Sequence, residues 1–221
     1  TDGDSNTLYL NIDGSFGTIP GWTSRAAEPT TSVALGDVDG DGDLDLVCGN
    51  AAASTTLYLN VGGVFEVDPV WSSGSTAATT SVALGDIDND GDLDLVCGNY
   101  LQRSAMYVNH AQPGGAPNPG SLFDAIPTWL AALPALTRSV VLGDVDGDGT
   151  LDLVCGNYGE RIGLFLNTGT TLDTLPSWSS QVPTNTFGVA LGDVDADGDL
   201  DLLSGNGGQA SAVYLNTGTR F

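Results

Sequence analysis

One acidic phrase occurs four times in the chain, and the spacing of its carboxylates poses the first chemical question. Asp37, Asp39, Asp41, Asp43 and Asp45 alternate with Val38, Gly40, Gly42 and Leu44. The same D-x-D-x-D-G-x-x-D pattern returns as Asp86, Asp88, Asp90, Asp92 and Asp94, then as Asp144, Asp146, Asp148, Thr150 and Asp152. Its last copy is Asp193, Asp195, Asp197, Asp199 and Asp201. Alternate residues of a curling loop converge their oxygens on one point, and Ca²⁺ takes about six to eight such hard ligands at roughly 2.3–2.6 Å. Positions 1, 3, 5 and 9 supply carboxylates. Position 7 (Asp43, Asp92, Thr150, Asp199) varies, as expected where only the backbone carbonyl coordinates. Glycine at position 6 permits a turn that a Cβ disfavours. Leu44 is expected to leave the loop and pack into the core. The expectation is four Ca²⁺ per chain.

This chemistry accounts for the charge. The chain has 28 acidic residues against five basic ones, all arginine, for a net charge of −23. Nineteen of the 28 acids lie in the four nonapeptides, so they read as metal ligands and not as an acidic binding face. Such a balance argues against nucleic acid or anionic membrane as partners. No apolar run is long enough to cross a bilayer, so no membrane insertion is expected. The chain opens at Thr1 without a leader, as a mature exported product or a trimmed domain would.

Other reactive groups are sparse. There is one histidine, His110, and no lysine. Cys48, Cys97 and Cys155 each sit in V-C-G-N, and the fourth copy reads Leu203-Ser204-Gly205-Asn206. An odd number of cysteines at equivalent positions reads as buried filler, not as a disulfide framework. No nucleophile–base pair is apparent, so the chain is not expected to be an enzyme.

The elements that must position the loops follow from the repeat. L-G-D begins at Leu35, Leu84, Leu142 and Leu191, at spacings of 49, 58 and 49 residues. A second phrase, [LV]-[YF]-[LV]-N, starts at Leu8, Leu57, Leu164 and Val213 and is degenerate at Met106. A third, P-x-W, places Trp22, Trp71, Trp129 and Trp178, while the extra residues of the long unit fall in His110–Ser121. Each unit reads as four short strands, exemplified by Ser32–Asp37, Leu44–Cys48, Thr56–Asn60 and Val64–Trp71, separated by Gly, Asn and Ser clusters. Four antiparallel strands in about 50 residues, repeated, indicate propeller blades. The expected fold is therefore all-β, a single β-propeller domain over 1–221. Its units are 1–30, 31–79, 80–137, 138–186 and 187–221, the first and last partial. The tryptophans are expected to seal blade against blade, with a sugar-stacking platform as the alternative.

The third strand occurs at both ends, as Leu8–Asn11 and Val213–Asn216. Domain length favours a four-bladed ring closed by the two termini, and a half-ring or a segment of a longer array are the alternatives. The surplus strand is an open edge that invites self-association.

The D-x-D-x-D-G-x-x-D loop between two strands, repeated at blade spacing over essentially the whole chain, resembles the FG-GAP/VCBS repeat family. Its best-known members are the integrin α-subunit propeller and many bacterial surface proteins. The F-G and G-A-P phrases that name the family appear loosely, as in Phe187-Gly188 and Gly49-Asn50-Ala51. The resemblance implies a non-catalytic calcium-binding module, secreted or at the cell surface, for adhesion, glycan or protein binding. In such a propeller the calcium loops share one face, together with the His110–Ser121 insertion. The opposite face is then expected to gather Arg25, Arg103, Arg138 and Arg161 beside Tyr100 and Tyr158, a surface suited to an acidic glycan or an extracellular protein. The alternatives are a structural subunit of an extracellular assembly joined by terminal strand exchange, and a polysaccharide-active enzyme using the Arg/Tyr face.

Overall fold

Short runs of Val and Leu, cut by Gly- and Asp-rich turns, leave the chain no length for helices. The computed structural model describes residues 4–111, 122–218 and 221, and among these every regular element is a strand. Blade I is β5 (Thr30–Gly36), β6 (Asp45–Asn50), β7 (Thr56–Tyr58) and β10 (Trp71–Ser72), bonded side by side in that order and antiparallel throughout. Blade II repeats it with β11 (Thr79–Gly85), β12 (Asp94–Gln102), β13 (Ala105–Tyr107) and β14 (Trp129–Leu130). Blade III uses β15 (Ala135–Gly143), β16 (Asp152–Glu160), β17 (Gly163–Phe165) and β18 (Trp178–Ser179). Blade IV has three strands, β19 (Thr184–Gly192), β20 (Asp201–Asn206) and β21 (Ala212–Tyr214). Ahead of blade I stands an outer pair alone, β1 (Ser5–Leu8) with β4 (Trp22–Ala27).

The fourth strand is shorter than its expected span of Val64–Trp71. Residues β9 (Val64–Phe65) turn back onto β8 (Asn60–Val61) as a separate small hairpin, and β2 (Asn11–Ile12) with β3 (Ser15–Phe16) does the same at the N-terminus. The left-handed Gly62-Gly63 pair makes this turn, with φ of 64° and 86°. The expected placement of the whole His110–Ser121 insertion lies largely outside the described residues.

Adjacent blades meet through one repeated fit. Leu84 and Leu93 of blade II close over Gly36 of blade I so tightly that a methyl group on Gly36 would lie 2.8 and 2.7 Å from their Cδ1 atoms. Leu142 and Leu151 cover Gly85, and Leu191 and Leu200 cover Gly143, in the same way. A second contact sets Thr79 and Val82 on Gly49, Thr137 and Val140 on Gly98, and Thr186 and Val189 on Gly156. Leu44 departs from expectation here. It is 55% exposed, because the blade surface its counterparts cover would belong to a blade preceding blade I.

The tryptophans seal the outer edge of the same seams. Trp71 is buried against Tyr107 and Phe123 of the next blade, with ring centroids 5.3 and 5.2 Å away. Trp22 packs on Tyr58 and Phe65, Trp129 on Phe165, and Trp178 on Tyr214 and Phe221.

The expected ring closed by the two termini is not seen among the described residues. Among the described residues neither β1 nor β4 pairs with β20 or β21, so the blades form an open arc, as in the half-ring or array-segment alternatives. Replacing Trp71 by Ala empties an aromatic site inside a seam, and a loss of about 3–5 kcal/mol in unfolding free energy is expected. Chemical denaturation of the variant measures it, and a change below about 1 kcal/mol would contradict a packing role.

Candidate metal centres

Each loop between the first and second strands of a blade is drawn inward by its own aspartates. The position-1 carboxylate accepts the position-6 N–H: Gly42 to Asp37 at 3.0 Å, Gly91 to Asp86 at 3.1 Å, Gly149 to Asp144 at 3.0 Å and Gly198 to Asp193 at 3.1 Å. Position 6 is left-handed as expected, with φ between 92° and 100° in the four copies. Position 4 is left-handed too, at Gly40, Asn89, Gly147 and Ala196, a demand the sequence reading missed. Glycine and asparagine adopt that region readily, whereas alanine does so at an energetic cost.

The position-9 aspartate is the anchor. Asp45, Asp94, Asp152 and Asp201 are wholly buried. One oxygen of each accepts the position-2 N–H (Val38, Ile87, Val145, Val194) at 2.8–2.9 Å. The other accepts the N–H of Asn60, Asn109, Asn167 or Asn216 at 2.8 Å.

The remaining carboxylates converge. In Asp37/Asp39/Asp41, Asp86/Asp88/Asp90 and Asp193/Asp195/Asp197, one oxygen from each residue lies within 4.8 Å of the others, and in the third loop the trio is Asp144/Asp146/Asp152. Asp148 at position 5 of that loop is held by Thr150, whose N–H and Oγ1 both donate to its Oδ1, at 2.8 and 2.6 Å. These bonds hold the Asp148 carboxyl below its ordinary range. Asp43, Asp92 and Asp199 bond through their own N–H groups to the position-5 carboxylates, at 2.8–3.0 Å. The Asp43 side chain turns outward to accept the Gly62 N–H, in keeping with a position that offers its carbonyl.

The donor set fits a hard cation. Asp37 Oδ1, Asp39 Oδ2, Asp88 Oδ1 and Asp144 Oδ1 are buried and accept no hydrogen bond. A buried carboxylate oxygen without a donor costs several kcal/mol unless a positive charge faces it. The strain shows in proton affinity: burial, reinforced by neighbouring carboxylates, raises Asp39, Asp88 and Asp146.

The arginine face is only partly assembled. Arg138 lies over the Tyr100 ring at 4.3 Å, with Tyr158 and Phe187 at 5.8 and 6.0 Å. These residues are on strands and not in the expected loops, because β12 and β16 run on to pair with the first strand of the next blade. Arg138 occupies the bulge between Thr137 and Ser139, and Phe187 the matching bulge between Thr186 and Gly188. A bulge re-aims the side chain it carries. Phe187 was not among the expected residues. Arg25 instead pairs with Asp68, Arg161 donates to the Ser180 carbonyl at 3.0 Å, and Arg103 contributes its carbonyl to Asn99.

The model of the FG-GAP-like repeat matches residues 1–48, 37–97 and 144–204. The chain belongs to the FG-GAP-like repeat family. Two solved structures of BBS1N in complex with ARL6DN resemble this FG-GAP-like chain. The one soaked with lead has a TM-score of 0.56 and 13% identity over 83% of this chain and 52% of that one. The one soaked with mercury has a TM-score of 0.53 and 12% identity over 81% and 52%. The chain thus spans about half the length of those structures, and at such identity the likeness is one of fold. No curated protein matches the sequence.

Two outcomes follow from the loops. Ala196→Gly relieves a left-handed alanine and is expected to stabilise the protein by about 1 kcal/mol; a lowered melting temperature would count against the loop geometry. The second concerns pH. Burial pushes the Asp45, Asp94 and Asp152 carboxyls up to about 6, partly opposed by the backbone N–H groups they accept. Unfolded, they titrate near about 3.9. The folded chain therefore holds more protons between these values, so in excess chelator stability rises as pH falls from about 7.5 to about 5. Thermal melts in EDTA across that range check it, and a flat or falling trend contradicts the burial argument.

Proposed function

We propose that this FG-GAP-like chain is a calcium-loaded, non-catalytic binding module that works outside the cell or at its surface. The observation that carries the reading is the set of buried, donorless carboxylate oxygens in the first three Asp-rich loops, with the carboxylates of the fourth converging in the same way. Position 1, 3 and 5 carboxylates hold the ion, with the position-7 carbonyl and the position-9 aspartate completing the site. Bound calcium supplies charge neutralisation and a fixed loop shape. Extracellular modules of this kind bind in roughly the 10⁻⁴–10⁻³ M range, which suits a compartment with millimolar calcium.

A non-catalytic role is supported by how the other reactive groups are held. Burial pushes the Cys48, Cys97 and Cys155 thiols up to about 12, far from the thiolate a nucleophile needs. For the bound partner, the Tyr100–Arg138–Tyr158–Phe187 group is the best-formed surface. The Arg138 Nε is buried with no hydrogen-bond partner, and a guanidinium presented among rings suits an acidic sugar or a carboxylate-bearing protein segment.

Isothermal titration is expected to show four calcium ions per chain, and Asp39→Asn to weaken one and leave three. At about 1 mM calcium and a Kd near 10⁻⁴ M, each ion adds roughly 1.4 kcal/mol, so four add ~6 kcal/mol and chelation lowers the melting temperature by many degrees. An unchanged melt in excess EDTA overturns the reading. A glycan array probed with the calcium-loaded protein and with Arg138→Ala tests the ligand face.

A further inference from the structure

The two ends of the arc carry the two halves of a blade seam. On the leading side, Val33, Leu35 and Leu44 are 59, 55 and 55% exposed, whereas Val82 and Val140 at the same repeat position as Val33 are each 8% exposed. On the trailing side, a methyl group on Gly192 would meet nothing within 4 Å, and one on Gly205 would meet only the Gly188 carbonyl. The equivalent glycines of the three inner seams are all covered by Leu, Val and Thr side chains.

Polar groups match in the same way. Asn109, Asn167 and Asn216 each donate their side-chain amide to the position-2 carbonyl of the preceding loop, at Val38, Ile87 and Val145, over 2.6–2.7 Å. Asn60 has no preceding loop to reach, and its side-chain amide donates to the Leu44 carbonyl at 3.2 Å, as Asn109, Asn167 and Asn216 do to Leu93, Leu151 and Leu200, without the second bond those three make. Val194 is the loop position that no following asparagine meets. Between β1 and β5, the place of a missing first and second strand is a groove of ≈ 190 Å³ lined by Leu8, Trp22, Val33, Leu35, Leu46 and Phe65 among others.

We infer that a second copy of this chain fills that groove, head to tail, with its blade IV seated against blade I. Leu35 and Leu44 close over Gly192 of the incoming copy, Thr30 and Val33 over its Gly205, and Asn60 reaches its Val194 carbonyl. One strand must yield, since β1 then takes the edge of β20 that β21 holds within its own chain. The exchange is nearly even. Leu202, Leu203 and Ser204 lose three ladder partners in β21 and gain them from Thr7-Leu8-Tyr9, which precede Leu10-Asn11 as Ala212-Val213-Tyr214 precede Leu215-Asn216. Trp178, which packs on Tyr214 and Phe221, receives Tyr9 and Phe16, now 45 and 71% exposed. Hydrogen bonds are conserved and the seam's apolar burial is the net gain. The contact is heterologous, so one copy's head always meets another's tail.

Two surface variants test it without disturbing the single chain. Leu35→Asp alters an exposed side chain, and Gly192→Leu adds atoms into open space. By sedimentation or light scattering in calcium buffer, the parent protein is expected at twice the monomer mass or more. Each variant alone is expected to be monomeric, with association weakened at least tenfold. An equimolar mixture restores one sound junction and is expected to stop at a heterodimer. A parent protein that stays monomeric at high concentration overturns the proposal. So does either variant associating like the parent, or a mixture that stays monomeric.

Discussion

Asp94 accepts the Ile87 N–H within its own loop and the Asn109 N–H at the end of β13. Asn109 donates its side-chain amide back to Val38 in the preceding loop. Two backbone segments of one blade therefore meet at a buried carboxylate, and the asparagine that caps it carries the tie to the preceding blade. The arrangement recurs at Asp152 with Asn167 and at Asp201 with Asn216. A loop that loses its curl would withdraw the carbonyl on which the next blade's asparagine rests. Loop shape and blade stacking are thus one constraint.

Much of this was legible in the residues. The carboxylate spacing, the glycine at position 6, the four-strand unit and the sealing role of Trp71 follow from short-range pattern, and the structure places each accordingly. What pattern does not carry is anything decided between units. Whether the ends meet depends on the angle accumulated from blade to blade, which no residue type reports. Leu44 and Leu93 are identical in sequence context, yet only Leu93 has a blade to cover. The seam glycines did leave a signal: Gly36, Gly85, Gly143 and Gly192 follow leucine in every copy, and a small residue fixed beside an apolar one marks a close approach of neighbouring elements.

Arg138 illustrates a different loss of information. By sequence it belongs with three other loop arginines, but the bulge at the start of β15 turns it onto the rings of Tyr100 and Tyr158. The corresponding residues Thr31 and Thr80 donate to the carbonyls of Thr79 and Thr137 in the adjacent blade. The same backbone irregularity thus serves as a strap in the first two blades and as a mount for charge and aromatic area in the last two. A residue's repeat position predicted its environment better than its loop assignment did.

The uniform seam has a consequence for how the chain reaches its fold. Residues 30–50 and 79–99 differ only at Val38/Ile87 and Gly40/Asn89, so a nascent blade meets more than one surface that accepts it equally well. Docking out of order would satisfy nearly the same contacts, and tandem repeats are prone to such kinetic traps. The departures from symmetry then act as order marks. Arg138 and Phe187 replace threonine at the bulge, Ser204 stands where the other blades have cysteine, and one unit is longer than its neighbours. Each makes one pairing of blades unlike the rest and so favours the native order over its near-equivalents.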